Sequence, residues 1–378
     1  MPANAWRSSK ERTNMSDRLY KDRLHYNTRR MDSYNKPFNF VICEREAGKT
    51  TAIPVTKVYK AWYHHHRPSI ILRRNVVDIT DTYMTDLQDA INDFLPEKRR
   101  IEFKYKKGDK GNGVVDVEVD GRPFVRFIAM SIPKSRIKSL RYDDPAYIIM
   151  DESVVDNRHG EKYLKDEAGR FKEIYNTFLR FATRHQHTLK AYFCGNPYSV
   201  YNPYFMWWGV DLSKVKPGAF IVGHNYVVEC YQIKPELKEW ILQHNPLYEF
   251  DDSYKRYAFG GEAINDQQFD VVEKQPDGYR LKLLIRVQSK YLYFYYCATD
   301  RDKLGYDPGK FWIKCADTYD GSKNVYAADF NNLVAGTKLM TPDMRALTYR
   351  LKDSVASRDV SYSSIAAGYL VEAIYNML

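Results

Sequence analysis

The sequence predicts an α/β domain built on a mostly parallel sheet, followed by a smaller α+β domain. Three short apolar runs indicate the first domain, because each is followed closely by polar residues that suit phosphate chemistry. These runs are residues 38–42, 146–150 and 189–194. Segments of helical spacing lie between them, and apolar strands alternating with helices are typical of a parallel sheet covered on both faces. From residue 271 the apolar residues alternate along short runs instead, which favours a second sheet.

Composition places the chain among globular proteins that work in a reducing compartment. Its 378 residues suggest about two domains. Lysine and arginine (58) exceed aspartate and glutamate (48), and the resulting net charge of +10 is compatible with a polyanionic partner without demonstrating one. The five cysteines are widely spaced and form no CxxC motif, which argues against a zinc site and a disulfide framework. Because no signal peptide and no apolar run of membrane-spanning length occur, we expect a soluble intracellular protein without a membrane partner.

The first apolar run opens a phosphate-binding motif, since residues 38–51 read FNFVICEREAGKTT. Backbone N–H groups at such a helix start point at an anion, and the helix dipole adds to them. Lys49 would reach the β and γ phosphates of ATP, and the Thr50 hydroxyl would ligate Mg²⁺. Cys43 stands where the motif usually has its first glycine, so a buried strand before an ordinary helix is the alternative. The residues expected to contact the nucleotide are Cys43, Glu44, Arg45, Glu46, Ala47, Gly48, Lys49, Thr50 and Thr51.

The second and third runs would complete a nucleotide-hydrolysis site. Asp151 and Glu152 end the second run, where Asp151 would hold Mg²⁺ and Glu152 would polarise the attacking water. Acids that only cap a strand end are the alternative. Asn196 follows the third run, where it would sense the γ-phosphate or position the water, or would serve only as a turn residue before Pro197. The two motifs in this order predict a nucleoside triphosphatase that uses ATP and Mg²⁺.

The segments between the runs have local patterns of their own. Residues 51–63 have helical spacing, with Pro54 tolerated only in the first turn. The apolar run 69–72 predicts a strand, and the arginines that end it, Arg73 and Arg74, would lie near the ligand crevice. We further expect a helix at 81–94, β-hairpins within 101–130 and a basic loop at 135–141.

The second domain is predicted to contain a mostly antiparallel sheet. Alternating segments cover residues 279–287, 291–298, 310–315 and 324–328, and a helix with an apolar stripe covers 364–378. Two-metal nuclease chemistry would require several carboxylates to converge, and a sequence does not show convergence. We therefore favour no nuclease activity, with a metal-dependent nuclease as the alternative. The acids concerned are Asp300, Asp302, Asp317, Asp320 and Asp329.

Several segments together resemble one protein family. They are RRMDSYNKPFNFVI, EREAGKTT, ILRR, IKS, IIMDE, NTFLR, CGNPYSVYNPYF and GSKNVY. They resemble the genome-packaging ATPases of small podophages in the group of phage phi-twenty-nine, which are relatives of the large terminases. The resemblance implies a P-loop ATPase domain of the ASCE type, a linker, and an RNase H-like domain that has lost its catalytic acids. We divide the chain into a basic arm (1–30), the ATPase domain (31–215), a linker or lid (216–268) and the RNase H-like domain (269–378).

The same resemblance gives expected roles to individual residues. Arg45 lies three residues before Gly48, where terminase loops often carry an arginine that supports the γ-phosphate or couples it to other elements. Arg180 matches the arginine that acts on the neighbouring subunit's nucleotide, with Arg184 as the alternative. Tyr34 lies in the segment that resembles the adenine side of the site, where it would stack on the base or simply pack.

The resemblance also implies partners. Members of this family form rings, expected here to be pentameric, that stand on the portal vertex of a procapsid and drive double-stranded DNA inward. The basic arm would be solvated or would contact nucleic acid or a neighbouring subunit. We expect the protein in the host cytoplasm and transiently on the procapsid vertex, but not in the mature virion. Basic residues after the Asp-Glu strand would grip DNA, with Arg158, Lys162 and Lys165 as candidates.

Overall fold

The computed structural model divides the chain into two compact units, Met1–Ile264 and Asn265–Leu378. It describes residues 24–105, 111–140, 144–156, 162–164, 166–198, 202–210, 214–244, 270–287, 290–298, 309–319, 321, 323–327, 333–340, 342–356, 359–364, 366–368 and 370–371. Several predictions fall outside these residues: most of the basic arm (1–30), Arg158, Lys165, Asp300, Asp302, Asp320 and Asp329.

The first unit alternates strands with helices. Its strands are β1 (Phe38–Cys43), β2 (Ser69–Arg73), β3 (Val114–Val119), β4 (Arg122–Ala129), β5 (Tyr147–Met150), β6 (Lys190–Gly195), β7 (Phe220–Val222) and β8 (Tyr226–Tyr231). Its helices are α1 (Arg29–Ser33), α2 (Thr56–His65), α3 (Asp81–Asn92), α4 (Lys134–Ser139), α5 (Glu167–Arg184), α6 (Pro203–Trp208) and α7 (Pro235–His244). A π-helix at Thr51–Val55 precedes α2, and short 3₁₀ turns lie at Val76–Asp78 and Glu97–Arg99. No helix of the described residues is long and apolar enough to cross a membrane.

The strands form one sheet in the order β3-β4-β2-β5-β6-β1-β8-β7. The six inner strands are parallel, and only the edge strands β3 and β7 run antiparallel to their neighbours. The predicted mostly parallel sheet of a P-loop NTPase is therefore confirmed. Since parallel strands end at the same edge, the loops after β1, β2, β5 and β6 meet there. We call this side of the sheet the carboxyl edge.

Strand β6 lies between the two strands that carry the predicted motifs. It pairs with β1 through Ile42 and Gly195, and with β5 through Met150 and Phe193. The phosphate loop, the Asp-Glu pair and Asn196 therefore leave the sheet side by side. Asn196 therefore follows the strand that pairs with the Asp-Glu strand.

The start of the helix after the phosphate loop differs from a regular α-helix because of Pro54. Proline has no N–H and clashes with the preceding turn of an α-helix. The chain widens here into the π-helix, which contains Pro54, before α2 continues to His65. The Thr56 hydroxyl donates to the carbonyl oxygen of Thr51 at 2.8 Å, which satisfies an acceptor within the widened turn.

Two other local predictions have different outcomes. The expected hairpin is present as β3 and β4, joined by Asp120 and Gly121 with φ of +50° and +70°. A type I′ turn requires positive φ at both central residues, and these two residues meet that requirement. The predicted basic loop at 135–141 is wrong, because most of it forms the short helix α4 after Pro133, a residue suited to a helix start.

The predicted linker at 216–268 is wrong in its first part. Residues 220–231 form β7 and β8, and β8 pairs with β1 over the full length of that strand. The helix α7 follows, and Leu237 and Ile241 on it are buried in the same core. These residues therefore belong to the ATPase sheet, while residues 245–269 lie outside the described part.

An ion pair between the buried Lys57 and the half-buried Asp32 holds α1 against the sheet. Lys57 of α2 donates to Asp32 of α1 at 2.8 Å, and the hydroxyl of Tyr192 on β6 donates to the same carboxylate at 2.8 Å. Thr28 donates to Asp32 at 2.6 Å. Because each buried charge has a charged or polar partner, α1 connects the helix layer to the sheet and sets the path of the chain into β1.

The second unit contains a mixed sheet. Its strands are β9 (Asp270–Val271), β10 (Arg280–Val287), β11 (Lys290–Cys297), β12 (Lys310–Ala316), β13 (Val325–Ala327), β14 (Thr337–Leu339) and β15 (Val360–Tyr362), with helix α8 (Pro342–Ala356). The order is β14-β13-β10-β11-β12-β15-β9. Strands β10 to β12 form an antiparallel meander, but the other pairs in the described sheet are parallel, so the prediction of a mostly antiparallel sheet is wrong.

Strand β10 begins the antiparallel meander and is joined on its other side by two successive parallel strands, β13 and β14. The RNase H-like assignment of this unit stays a prediction. Helix α8 was not predicted, and most of the expected helix at 364–378 lies outside the described residues.

Candidate active site

The loop after β1 requires glycine at position 48 because of its backbone conformation and a close contact. Gly48 has a φ of +91°, and a β-carbon there would lie 3.1 Å from Cβ of His25. Glycine alone accepts both this backbone and this close approach without strain. Glu46 takes a second left-handed position at φ +59°. Cys43 is buried at the end of β1, where burial raises the pKa of its thiol to about 11, so the thiol is neutral at physiological pH.

Lys49 joins the loop to β6. Its Nζ donates to the carbonyl oxygens of Cys43 (2.8 Å) and Glu44 (2.9 Å) and to Oδ1 of Asn196 (2.8 Å). The parallel pairing of β1 with β6 brings Asn196 close, although 147 positions separate it from Lys49 in the sequence. Thr50 is exposed beside Lys49. An ammonium group at a helix start concentrates positive potential at one point, as phosphate binding requires.

Two other loop residues anchor the loop to its surroundings. The side chain of Glu44 is buried, and its Oε2 accepts from the backbone N–H of Ile233 at 3.3 Å. The carbonyl oxygen of Ala47 accepts from the backbone N–H of Tyr26 at 2.8 Å. The loop is therefore held by the segment before α1 and by the segment after β8, while the side chains of Arg45, Glu46 and Thr50 are exposed.

Asp151 and Glu152 lie in different surroundings at the end of β5. The Asp151 side chain is 11% exposed, and burial raises the pKa of its carboxyl, while Arg73 opposes this shift from 3.8 Å. The Glu152 side chain is 63% exposed, and Nη2 of Arg73 donates to its Oε2 at 3.0 Å. A shielded carboxylate suits a metal ligand and an exposed one suits contact with water, and the two roles stay predictions. Arg73 lies at the ligand crevice, as its place at the end of β2 indicated.

A second arginine supports the turn that presents Glu152. Arg74 donates to both carboxylate oxygens of the buried Glu167 at 2.9 and 3.0 Å, and to the carbonyl oxygen of Glu152 at 3.1 Å. The Tyr204 hydroxyl donates to Glu167 at 2.9 Å. This paired geometry raises the pKa of Arg74. The sequence analysis missed Glu167, although an acid in the first turn of an apolar-striped helix is a recognisable signal.

The end of β6 is closely packed before Asn196. A β-carbon on Gly195 would lie 2.6 Å from Cγ2 of Val154 and 2.8 Å from Cδ1 of Ile42, so β6 fits between its neighbours only with glycine there. Asn196 then donates through Nδ2 to the hydroxyl oxygen of Tyr198 at 3.0 Å. The sequence analysis also missed Tyr198.

The aromatic residues that lie against the phosphate loop are His25 and Tyr26, while the stacking of Tyr34 on the base stays a prediction. Tyr34 is exposed at the end of α1, and its ring packs on Phe220 with ring centres 5.5 Å apart. The side chains found against the loop are instead His25, next to Gly48, and Tyr26, whose ring meets Tyr231 edge-on at 5.0 Å. These aromatic pairs need the tertiary pairing of β1 with β8, which no local pattern reveals.

Arg180 and Arg184 lie far from the catalytic residues of their own chain. Both are exposed near the end of α5, one turn apart on the same side of the helix. The helix begins at Glu167, beside the Asp-Glu turn, and its rise of about 1.5 Å per residue places Arg180 about 20 Å further along. Neither side chain reaches Glu152 of the same chain.

The remaining predicted residues do not join this site. Lys162 is exposed in the segment after β5. In the second unit, Asp317 is exposed and pairs with Lys290. No group of three or more potential metal ligands occurs among the described residues. The prediction of no nuclease activity stays a prediction, because most of the acids concerned lie outside those residues.

A buried carboxyl group next to the loop should make stability depend on pH. The Glu229 carboxylate accepts from the Tyr26 hydroxyl at 2.9 Å, yet burial raises its pKa from 4.5 to about 7. Between pH 4.5 and about 7, the folded protein holds a proton on Glu229 that the unfolded chain releases. The free energy of unfolding therefore falls as the pH rises through this range. We expect Glu229→Gln to stabilise the protein at pH 8 by up to about 3 kcal/mol, and to change little near pH 4.5.

The measurement is urea unfolding of wild type and Glu229→Gln at both pH values. Glu236→Gln, which replaces an exposed glutamate of α7, is the matched control. Equal pH dependence of the unfolding free energy in wild type and Glu229→Gln would contradict the assignment.

Comparisons with known proteins identify one family and two structures with the same fold. A family model described as podovirus DNA encapsidation protein (Gp16) matches residues 20–232, more than half of the chain. The structure is similar to the gp11 DNA packaging motor of phage Phi-28, with 16% identity, a TM-score of 0.59 and coverage of 93% of this chain and 97% of that one. It is equally similar to the viral genome packaging motor assembly of bacteriophage Phi-29, with 20% identity, a TM-score of 0.59 and coverage of 94% and 99%. At these identities the likeness shows a shared fold. No curated protein sequence matches the chain.

Proposed function

The chain belongs to the podovirus DNA encapsidation protein (Gp16) family, and on this basis we propose that it is the ATPase that drives double-stranded viral DNA into a procapsid. The observation that carries the proposal is the link between Lys49 and Asn196 at the carboxyl edge. This link supports the proposal because it joins Lys49 to the end of β6, the strand that pairs with the Asp-Glu strand β5 in a mostly parallel sheet.

The residues of the carboxyl edge have different roles in ATP hydrolysis. Lys49 and the backbone N–H groups at the helix start bind the phosphates of ATP. The oxygen donors of Thr50 and Asp151 fit Mg²⁺, a hard cation that prefers oxygen ligands. Bound there, Mg²⁺ would neutralise charge on the phosphate oxygens. Glu152, which is mostly exposed, accepts the proton of the attacking water.

Asn196 and Arg45 connect the phosphates to the rest of the motor. The Asn196 side chain touches Lys49, so it responds when Lys49 exchanges a protein acceptor for a phosphate oxygen. Arg45 is an exposed cation in the loop, and it supports the γ-phosphate or transmits its presence to other elements.

We propose a homo-oligomeric ring, with five subunits as the expected number, on the portal of the procapsid. Arg180 lies about 20 Å along α5 from the start of that helix, so it serves a neighbour's nucleotide and not its own. Arg184, one turn later, is the alternative. An added cation at the γ-phosphate stabilises the charge of the transition state.

DNA is held through its phosphates in this proposal. The positive net charge and the exposed Lys162 after the Asp-Glu strand support contacts to the DNA backbone. Such binding is independent of sequence and weakens steeply with salt. The motor works in the host cytoplasm, stands transiently on the procapsid vertex and is absent from the mature virion.

The first test is the ATPase rate of the wild-type protein with and without linear double-stranded DNA and procapsids. We expect both additions to stimulate hydrolysis and DNA to become protected inside procapsids. An ATPase rate of the wild-type protein that does not change on addition of DNA and procapsids would contradict the motor function.

The second test mixes two inactive variants within one ring. Lys49→Ala retains Arg180, and Arg180→Ala retains an intact phosphate loop. If Arg180 acts in trans, mixed rings recover part of the ATPase rate that each variant lacks alone. A mixture of Lys49→Ala with Glu152→Gln is the control, because both lesions lie in the same site and no recovery is expected. Mixed rings that assemble without recovery would overturn the trans role, and the same mixture made with Arg184→Ala tests the alternative.

A further inference from the structure

The hydroxyl of Tyr198 lies between Asn196 and Arg45. Its hydroxyl oxygen accepts from Nδ2 of Asn196 at 3.0 Å. The same oxygen accepts from Arg45, through Nη2 at 3.0 Å and Nε at 3.3 Å. One hydroxyl therefore joins the residue at the end of β6 to the arginine of the phosphate loop.

The backbone holds Tyr198 in this position. The N–H of Tyr198 donates to the carbonyl oxygen of Asn196 at 2.8 Å, which closes a tight turn around Pro197. Proline limits the backbone freedom of that turn, and Tyr198 itself is buried. The turn and the burial of the ring therefore fix the position of the Tyr198 hydroxyl.

The hydrogen bonds of Asn196 also determine how its amide is oriented. Lys49 has only donors, so it requires Oδ1 of Asn196, whereas the Nδ2 group requires an acceptor, which the Tyr198 hydroxyl supplies. Removing the hydroxyl removes the acceptor that keeps Oδ1 turned to Lys49. A phosphate oxygen competes with Oδ1 for the same ammonium group, so a change at Lys49 alters the hydrogen bonds of Asn196 directly.

We propose that Tyr198 is a positioning residue of the ATPase site: its hydroxyl orients the amide of Asn196 and connects Asn196 to Arg45, so that phosphate binding at Lys49 is transmitted to Arg45. This inference rests on the proposed ATPase function. Tyr198 acts through Asn196 and Arg45 and contacts no reacting atom in this scheme. A purely packing role would need only the ring, which phenylalanine supplies.

The test is Tyr198→Phe, which keeps the ring and removes the hydroxyl. We expect kcat for ATP to fall by about 10- to 100-fold, the range for losing hydrogen bonds to a charged partner. The dissociation constant for ATP should change by no more than about twofold and Tm should stay close to wild type, because the phosphate-binding groups remain. Tyr175→Phe is the matched control, since its buried hydroxyl donates to Leu189 at 2.9 Å, away from the loop.

A double-mutant cycle with Arg45→Ala measures the connection itself. If one link joins the residues, the double variant loses no more kcat than the more severe single variant. Independent effects, or an unchanged kcat in Tyr198→Phe, would overturn the inference. Hydrolysis by the wild-type protein separates this result from the proposed function, because a wild type without ATPase activity would refute the function itself.

Discussion

Lys49→Ala is expected to lose ATP hydrolysis by about 100- to 1,000-fold, the cost of removing one preorganised donor from a site of developing charge. Nζ of Lys49 donates to three acceptors, namely the carbonyl oxygens of Cys43 and Glu44 and Oδ1 of Asn196, so its removal takes the positive charge from the point where the loop and the end of β6 meet. We also expect weaker nucleotide binding, because the same interaction is made before the chemical step. A nucleotide-binding titration and a steady-state ATPase assay measure the two effects separately.

Lys98→Ala is the control for this variant, since Lys98 is exposed in the turn after α3. Thermal unfolding must accompany both, because Lys49 also ties the loop to β6 and its loss removes three hydrogen bonds. A Lys49→Ala protein that folds like wild type and hydrolyses ATP at the normal rate would show that this loop is not the phosphate site.

Glu152→Gln should separate binding from hydrolysis. The amide keeps the size of the side chain and an oxygen that accepts from Arg73, but it does not take a proton from water. We expect kcat to fall by about 100- to 10,000-fold, the usual contribution of a general base, while ATP still binds. The side chain is mostly exposed, so the folded state should be little affected.

Glu97→Gln, in the exposed 3₁₀ turn after α3, is the matched control. The measurements are single-turnover hydrolysis, ATP affinity and DNA packaging into procapsids. If Glu152→Gln packaged DNA at the wild-type rate, the assignment of Glu152 as the base would be wrong, and another group near the carboxyl edge would have to activate water.

The parts of the site that were predicted from sequence are those in which neighbouring residues suffice. A strand, a loop and a helix start are continuous in the chain, so Gly48, Lys49 and Thr50 are visible together. The Asp151-Glu152 pair is visible for the same reason, because an apolar strand leads directly into it. If the strands that carry these motifs are parallel, their carboxyl ends lie at the same edge of the sheet, so the motifs meet there.

The missed parts depend on contacts between distant segments. The first part of the predicted linker became β7 and β8 because β8 pairs with β1, and two short strands next to polar residues have little local signal. His25 and Tyr26 lie against the loop, and neither was predicted because their contacts depend on the folding of the chain before β1 onto the loop. Tyrosine is frequent here, with 32 in the chain, so the residue type alone does not single out Tyr198.

By itself, the sequence determined that a Gly48-Lys49-Thr50 loop, the acid pair Asp151-Glu152 and the polar Asn196 each follow an apolar run. It determined this because hydrophobic periodicity and turn chemistry are local properties. Only the tertiary structure decided which side chains complete the site, namely Arg73 on Glu152, Arg74 on Glu167 and Tyr198 between Asn196 and Arg45. The arginine hydrogen bonds among these join residues far apart in the chain, and their geometry follows from the register of the sheet and the packing of helices against it.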